Sequence, residues 1–99
     1  MNKKLNMKHL TPYEEGFNER LKDPKFRAIW EAEAPHRAAV SAIIGARIKY
    51  KLTQQQLAER AGLRQPNLAR IESGSISPSL STLGKIAGGL DKKLEVRFV

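Results

Sequence analysis

Cysteine is absent from the 99 residues. That excludes a disulfide framework and any thiolate metal site, and it fits a reducing compartment. Histidine occurs only as His9 and His36, and two distant imidazoles without thiolates do not make a metal-ligand set. No stretch approaches the roughly 20 apolar residues of a membrane helix. The opening MNKKLNMKHL lacks the apolar run of a signal peptide. Ser73, Ser75, Ser77, Ser79 and Ser81 fall in a turn and a helix start with no partner base for a nucleophile. Gly88-Gly89 follows a helical run and does not open one, so it is no phosphate loop. These absences lead us to expect a cytoplasmic protein without enzymatic activity, metal, cofactor or membrane partner.

Acidic residues are scarce, and unevenly so. Residues 1–34 carry seven Lys/Arg against six Asp/Glu, a net +1. Residues 35–99 carry eleven against four, a net +7, which accounts for the total of +8. Clustered positive charge attracts phosphate at long range, so the second segment points to a polyanion partner.

Apolar spacing divides the chain into helical segments. Residues 1–9 read as a disordered tip. Leu10, Tyr13, Phe17 and Leu21 then recur at helical spacing behind a T-x-x-E capping box, with Pro12 at the first helical position and Gly16 as an internal weakness. Asp23-Pro24 starts a second helix with Phe26, Ile29 and Trp30 on one stripe, and Pro35 is expected to break it. A third helix is expected over 36–50, with Val40, Ile43, Ile44 and Ile48 inward. Thr53 caps a fourth over Gln54–Ala61, with Leu57, Ala58 and Ala61 inward, and Gly62 ends it. A fifth runs from about Gln65 to Glu72 with Leu68 and Ile71 inward. Ser77 is expected to cap a sixth starting at Pro78, with Leu80, Leu83, Ile86 and Ala87 inward and Gly88-Gly89 as its stop. In the tail the period changes to two: Leu94, Val96 and Phe98 alternate with Lys93, Glu95 and Arg97. This pattern predicts a half-buried strand. An isolated strand leaves its backbone groups unpaired, so the expected partner is the same strand of a second copy. The alternative is packing on the chain's own helices. The organisation expected is an arm over 1–34, a globular domain over 35–91 and a dimerising strand over 92–99.

The fourth and fifth helices, joined by a short turn at Gly62, read as a helix-turn-helix. The second helix of such a pair enters the DNA major groove. Gln65 and Asn67 each donate and accept, which suits adenine, and Arg70 one turn on suits guanine. Gln54, at the first turn of the preceding helix, is placed for a phosphate, with Arg60 and Arg64 as further phosphate candidates.

Residues 37–90 resemble the Cro/repressor (XRE) family of helix-turn-helix domains through LTQQQLAERAGL, RQPNLARIESG and SPSLSTLGKIAGGL. The resemblance implies an all-α, five-helix-type lambda-repressor-like domain. It implies groove-facing roles for Gln65, Pro66, Asn67, Ala69 and Arg70, and a structural ion pair between Arg47 and Glu72. The chain departs from the family pattern at Arg64, where a Ser or Thr cap is usual, and at Pro66, which cannot hydrogen-bond a base.

Four of the six aromatics, Tyr13, Phe17, Phe26 and Trp30, lie in the first 34 residues. With Leu21 and Ile29 they form stripes suited to a protein partner, since large aromatics contribute much of the energy at interfaces. LKDPKFRAIWE ahead of such a domain, with a strand-like tail after it, is similar to the HigA-type antitoxins. That resemblance implies a homodimer that binds an inverted-repeat operator, represses its own operon and neutralises a HigB-type, RelE-like mRNA-cleaving toxin. A stand-alone XRE-type repressor, chromosomal or phage, with a structural arm is the alternative. A protein-binding adaptor without DNA is a third reading.

Overall fold

The computed structural model describes residues 10–99. Residues 1–9, with His9 and the expected disordered tip, lie outside the described residues. The chain divides into two compact units at residues 34 and 35. Among the described residues there are six helices and no strand: α1 (Pro12–Arg20), α2 (Pro24–Ala32), α3 (Ala34–Lys49), α4 (Gln54–Ala61), α5 (Gln65–Glu72) and α6 (Leu80–Gly89).

In the first unit, Thr11 caps α1. Its hydroxyl accepts from the Glu14 amide at 3.1 Å, and Glu14 Oε1 accepts from the Thr11 amide at 2.9 Å. Asp23 caps α2 through the Lys25 amide at 3.0 Å. The half-buried rings of Phe17 and Trp30 meet edge-on with centroids 4.8 Å apart, and Phe26 lies 6.0 Å from Phe17. The Arg20 guanidinium sits 4.8 Å above the Phe26 ring. Phe26 and Trp30 are one helical turn apart and therefore share a face. Ile29, expected on the same stripe, is 63% exposed, and Tyr13 is 77% exposed. The segment thus packs three of its rings on one another and leaves Tyr13 and Ile29 outside.

In the second unit, α4 lies against both α5 and α6. Leu57, Ala58, Leu68, Ile71 and Ile86 are almost wholly buried, and Ile43 of α3 joins them. Burying each large aliphatic side chain contributes about 2 kcal/mol. The Thr53 capping box is present, with the Gln56 amide on the Thr53 hydroxyl at 3.0 Å and Gln56 Oε1 on the Thr53 amide at 2.9 Å. Gly62 turns the chain out of α4 in the left-handed region, at φ 74°. That region disfavours any Cβ-bearing residue, which accounts for glycine there.

Several expectations are corrected. The second helix ends ahead of Pro35, as expected, but Pro35 itself already belongs to the next one, which begins at Ala34 in place of 36. Pro35 is the second residue of α3, where its missing N–H has no intrahelical partner to lose. Ile48 is 61% exposed, because the inward row of α3 runs from Ile43 to Arg47, one turn on. The cap of α6 is Ser79, whose Oγ accepts from the Thr82 amide at 3.1 Å, in place of Ser77. This start leaves Leu80 64% exposed, while Leu83, Ile86 and Ala87 still turn inward. The helix runs through Gly88 and Gly89, and the left-handed residue beyond it is Asp91, at φ 58°. Gly89 is where α6 crosses α4. A Cβ there would lie 3.1 Å from the Ala61 nitrogen and 3.3 Å from its Cα. Residues 35–99 hold four helices in place of the five-helix type, because no helix forms after Asp91. The tail forms no ladder within the chain, and Leu94, Val96 and Phe98 are exposed.

The two glycines of α6 should respond oppositely to alanine. Gly88→Ala meets nothing within 4 Å and should stabilise by about 0.5–1 kcal/mol through helix propensity. Gly89→Ala presses on the α4 backbone and should destabilise by about 1–3 kcal/mol. Urea unfolding of both variants checks the pair, and equal signs would refute the close-approach account.

Candidate nucleic-acid interface

Glu72 ends α5 with its side chain only 5% exposed. A carboxylate that far from water needs charged and hydrogen-bonding partners. Arg47 supplies the charge through two parallel bonds, Nε to Oε2 at 2.8 Å and Nη2 to Oε1 at 3.0 Å. Its Nη1 donates to the Leu52 carbonyl at 3.0 Å. One guanidinium therefore ties α3 to α5 and to the connector before α4. The Arg47–Glu72 pair implied by the family resemblance is formed.

A chain of amides extends from this pair. Gln54, the first residue of α4, donates from Nε2 to Glu72 Oε1 at 3.0 Å. Gln65, the first residue of α5, donates from Nε2 to Gln54 Oε1 at 2.8 Å. The polarity of both amides follows from the ionised carboxylate, which accepts only. Gln54 must present its NH2 to Glu72 and its oxygen to Gln65. Gln65 then keeps its Oε1 and one N–H for an outside partner. These are one acceptor and one donor side by side, the complement of adenine N6 and N7. The link between Gln54 and Gln65 had no signal in the sequence, because it spans eleven positions and depends on how α4 and α5 cross.

The other candidate residues are placed as follows. Arg64 stands at the N-cap of α5, exposed, and makes no side-chain capping bond. Pro66 and Asn67 are exposed in the first turn of α5, and Ala69 is half-buried. Arg70 Nη1 donates to Asn67 Oδ1 at 3.0 Å, so Asn67 braces the guanidinium with the oxygen that adenine readout would need. Gln54 lies in the first turn of α4, where helix geometry leaves backbone N–H groups without intrahelical partners. Arg60 is apart from these. Its Cβ faces Gly89, and it lines a cavity with Tyr50, Leu52, Leu90, Asp91 and Lys92. There Lys92 and Lys49 hold their ammonium groups 5.5 and 5.8 Å from the Tyr50 ring centroid. The ammonium of Lys92 beside the hydroxyl, with that of Lys49, lowers the Tyr50 pKa from its ordinary value. This cationic cluster was not expected from the sequence. Among the described residues no group of three or more His, Cys, Asp or Glu could hold a metal ion. No described helix is long and apolar enough to cross a membrane.

Glu72→Ala should cost about 3–5 kcal/mol, because it strands a largely buried guanidinium. Glu72→Gln should cost less and release Gln54 and Gln65 from their fixed amide polarity. Urea unfolding gives the stabilities. Side-chain amide NMR signals report the release, and unchanged Gln54 and Gln65 signals in Glu72→Gln would contradict the relay.

Comparison with known proteins agrees with this geometry. The family model described as helix-turn-helix matches residues 43–96. The antitoxin HigA1 of Mycobacterium tuberculosis is 36% identical over 74 residues, which are 75% of this chain and 50% of that protein. An HTH-type transcriptional regulator of Haemophilus influenzae is 37% identical over 59 residues, 60% of each chain. The immunity repressor of Bacillus phage phi105 is 52% identical over 52 residues, 48% of this chain and 36% of the repressor. The chain thus spans about half the length of HigA1. No solved structure matches it. The match over residues 43–96, set on an α4–α5 pair with its polar row outward, establishes that the chain belongs to the XRE-type helix-turn-helix family of DNA-binding regulators.

Proposed function

We propose that the chain is an antitoxin that represses its own operon through α5 and neutralises a HigB-type, RelE-like toxin through the segment before residue 35. The observation that carries the DNA half is the relay Arg47–Glu72–Gln54–Gln65, which fixes the polarity of the amide on the first turn of α5. In this reading Gln65 contacts adenine and Arg70, braced by Asn67, contacts guanine O6 and N7. Pro66 and Ala69 offer apolar contact to thymine methyl groups. Gln54 and Arg64 hold backbone phosphates, and Arg60 follows the backbone further out. Two copies pair through residues 92–99 and set their α5 helices about 34 Å apart, which matches an inverted repeat with half-sites one DNA turn apart.

The toxin half is supported by the extent of the HigA1 likeness, which covers more residues than the helix-turn-helix match alone. It is also supported by the exposed apolar side chains of Tyr13 and Ile29 beside the cluster of Phe17, Phe26 and Trp30, with Leu21 half-buried next in the chain. The stand-alone repressor reading draws on the 52% identity to the phage repressor, which is confined to about half of this chain. The two readings part on whether the first unit has a protein partner.

On DNA from upstream of the gene, Gln65→Ala or Arg70→Ala should each cost about 1–3 kcal/mol and relax sequence selectivity. Gln54→Ala should weaken binding to all sequences through its lost phosphate contact and, because Gln65 loses the partner that fixes its amide, should also relax selectivity at the adenine. Fluorescence anisotropy on matched and single-base-changed duplexes checks both. Wild-type affinity and selectivity in Arg70→Ala would overturn the assignment of α5. For the partner, Tyr13→Ser/Ile29→Ser should bind DNA normally yet fail to co-purify with the product of the adjacent small reading frame. If wild-type protein does not retain that product either, the simple repressor reading prevails.

A further inference from the structure

The tail carries a charge pattern that is complementary to itself about a single residue. Residues 92–99 form no helix or strand, and the alternate residues Leu94, Val96 and Phe98 are exposed, as is Val99. Glu95 and Arg97 share the opposite row, with Nε and Oε2 3.8 Å apart. Leu94 helps to line a cavity of about 220 Å³ together with Ala42, Ile43, Ala46, Leu83 and Ile86. The surface of its walls is mostly apolar, although Lys92, Lys93 and Glu95 also line it, and no tail residue beyond Glu95 does.

Two antiparallel copies related by a two-fold axis through the ribbon must place residues of the same parity opposite one another, or one apolar row faces a charged row. Centring on Glu95 sets Glu95 against itself and Lys93 against Arg97. Centring on Arg97 sets two guanidiniums face to face. Like charges directly opposite destabilise a pair. Centring on Leu94 pairs Glu95 with Lys93, but it also puts Val96 against Lys92. It further brings Phe98 against Leu90, which lies before the left-handed Asp91 and outside the alternating tail. Centring on Val96 pairs Glu95 with Arg97 twice, Leu94 with Phe98 twice, and Val96 with itself, and its one mixed pair, Lys93 with Val99, falls at the last residue of the ribbon.

We propose that a second copy of this chain docks in that last register, with Val96 on the two-fold axis, and that the partner's Phe98 lies beside Leu94 over the cavity between α3 and α6. The inference rests on the reading of the chain as a tail-paired dimer and goes beyond it by fixing the register and the occupant of the cavity. Each protomer then lacks part of its own apolar cover until the other supplies it.

The absence of cysteine makes the register directly measurable in the full-length protein. Residues opposite one another on an antiparallel ribbon have Cα atoms about 4.5–5.5 Å apart, within disulfide reach. Val96→Cys should therefore form a covalent dimer under mild oxidation. Leu94→Cys alone should not, because two copies of residue 94 would sit four residues apart along the ribbon, about 13 Å. The pair Leu94→Cys/Phe98→Cys should cross-link again. Preferential cross-linking of Leu94→Cys over Val96→Cys overturns the register in favour of the Leu94-centred one. Arg97→Glu should raise the dimer dissociation constant about tenfold, since two favourable pairs become repulsive. Adding Glu95→Arg should restore it, and failure of that rescue also overturns the register. Light scattering separates the two levels of the argument. If the wild-type chain is monomeric, or a chain ending at Lys92 dimerises as well as the full chain, the tail-paired dimer itself is wrong.

Discussion

A single carboxylate with almost no access to water organises the second half of this protein. Glu72 accepts from Arg47 through a bidentate fork and from Gln54 through an amide. A guanidinium matches this geometry where an ammonium does not, because its planar fork meets both oxygens at once. An ion pair of this kind roughly offsets its own desolvation, so its effect lies more in arrangement than in net stability. It holds the ends of α3 and α5 to the start of α4. Through the acceptor-only character of the carboxylate it also fixes which way two glutamines point. The donor and acceptor pattern that Gln65 offers is thereby set by a charge inside.

Around that junction the apolar core is small, and α4 is its centre. Ala58, Ala61 and Gly89 let α6 approach α4 closely, while Leu57, Leu68, Ile71 and Ile86 fill what remains. A domain of this size buries a modest share of its surface. The apolar tail and the cavity beside Leu94 are the natural consequence. They are apolar surface that this chain by itself leaves uncovered.

Local signals in the sequence were read correctly where the cause is local. The Thr11 and Thr53 capping boxes, the left-handed Gly62, the bounds of α4 and α5 and the uncapped Arg64 all follow from chemistry within four residues. Readings failed where two local solutions competed and packing chose between them. Ser77 and Ser79 are equally good caps, and the start at Ser79 won although it leaves Leu80 outside. Gly89 reads as a stop signal but is needed for a helix crossing. Ile48 belongs to the apolar stripe of α3 by composition, yet Arg47 took the inward place because Glu72 required a cation there.

By itself the sequence determined the helical periods, the caps, the change to period two in the tail and the basic character of residues 35–99. Each of these depends on neighbours along the chain or on simple composition. Only the tertiary structure decided that Gln54 and Gln65 touch, that Asn67 braces Arg70, that Arg60 stands apart from α5, and that Phe17, Phe26 and Trp30 pack together. The physical reason is that most of these contacts depend on how helices cross and on which rotamers packing allows. Sequence spacing carries the period of a helix, but it does not carry the angle at which two helices meet.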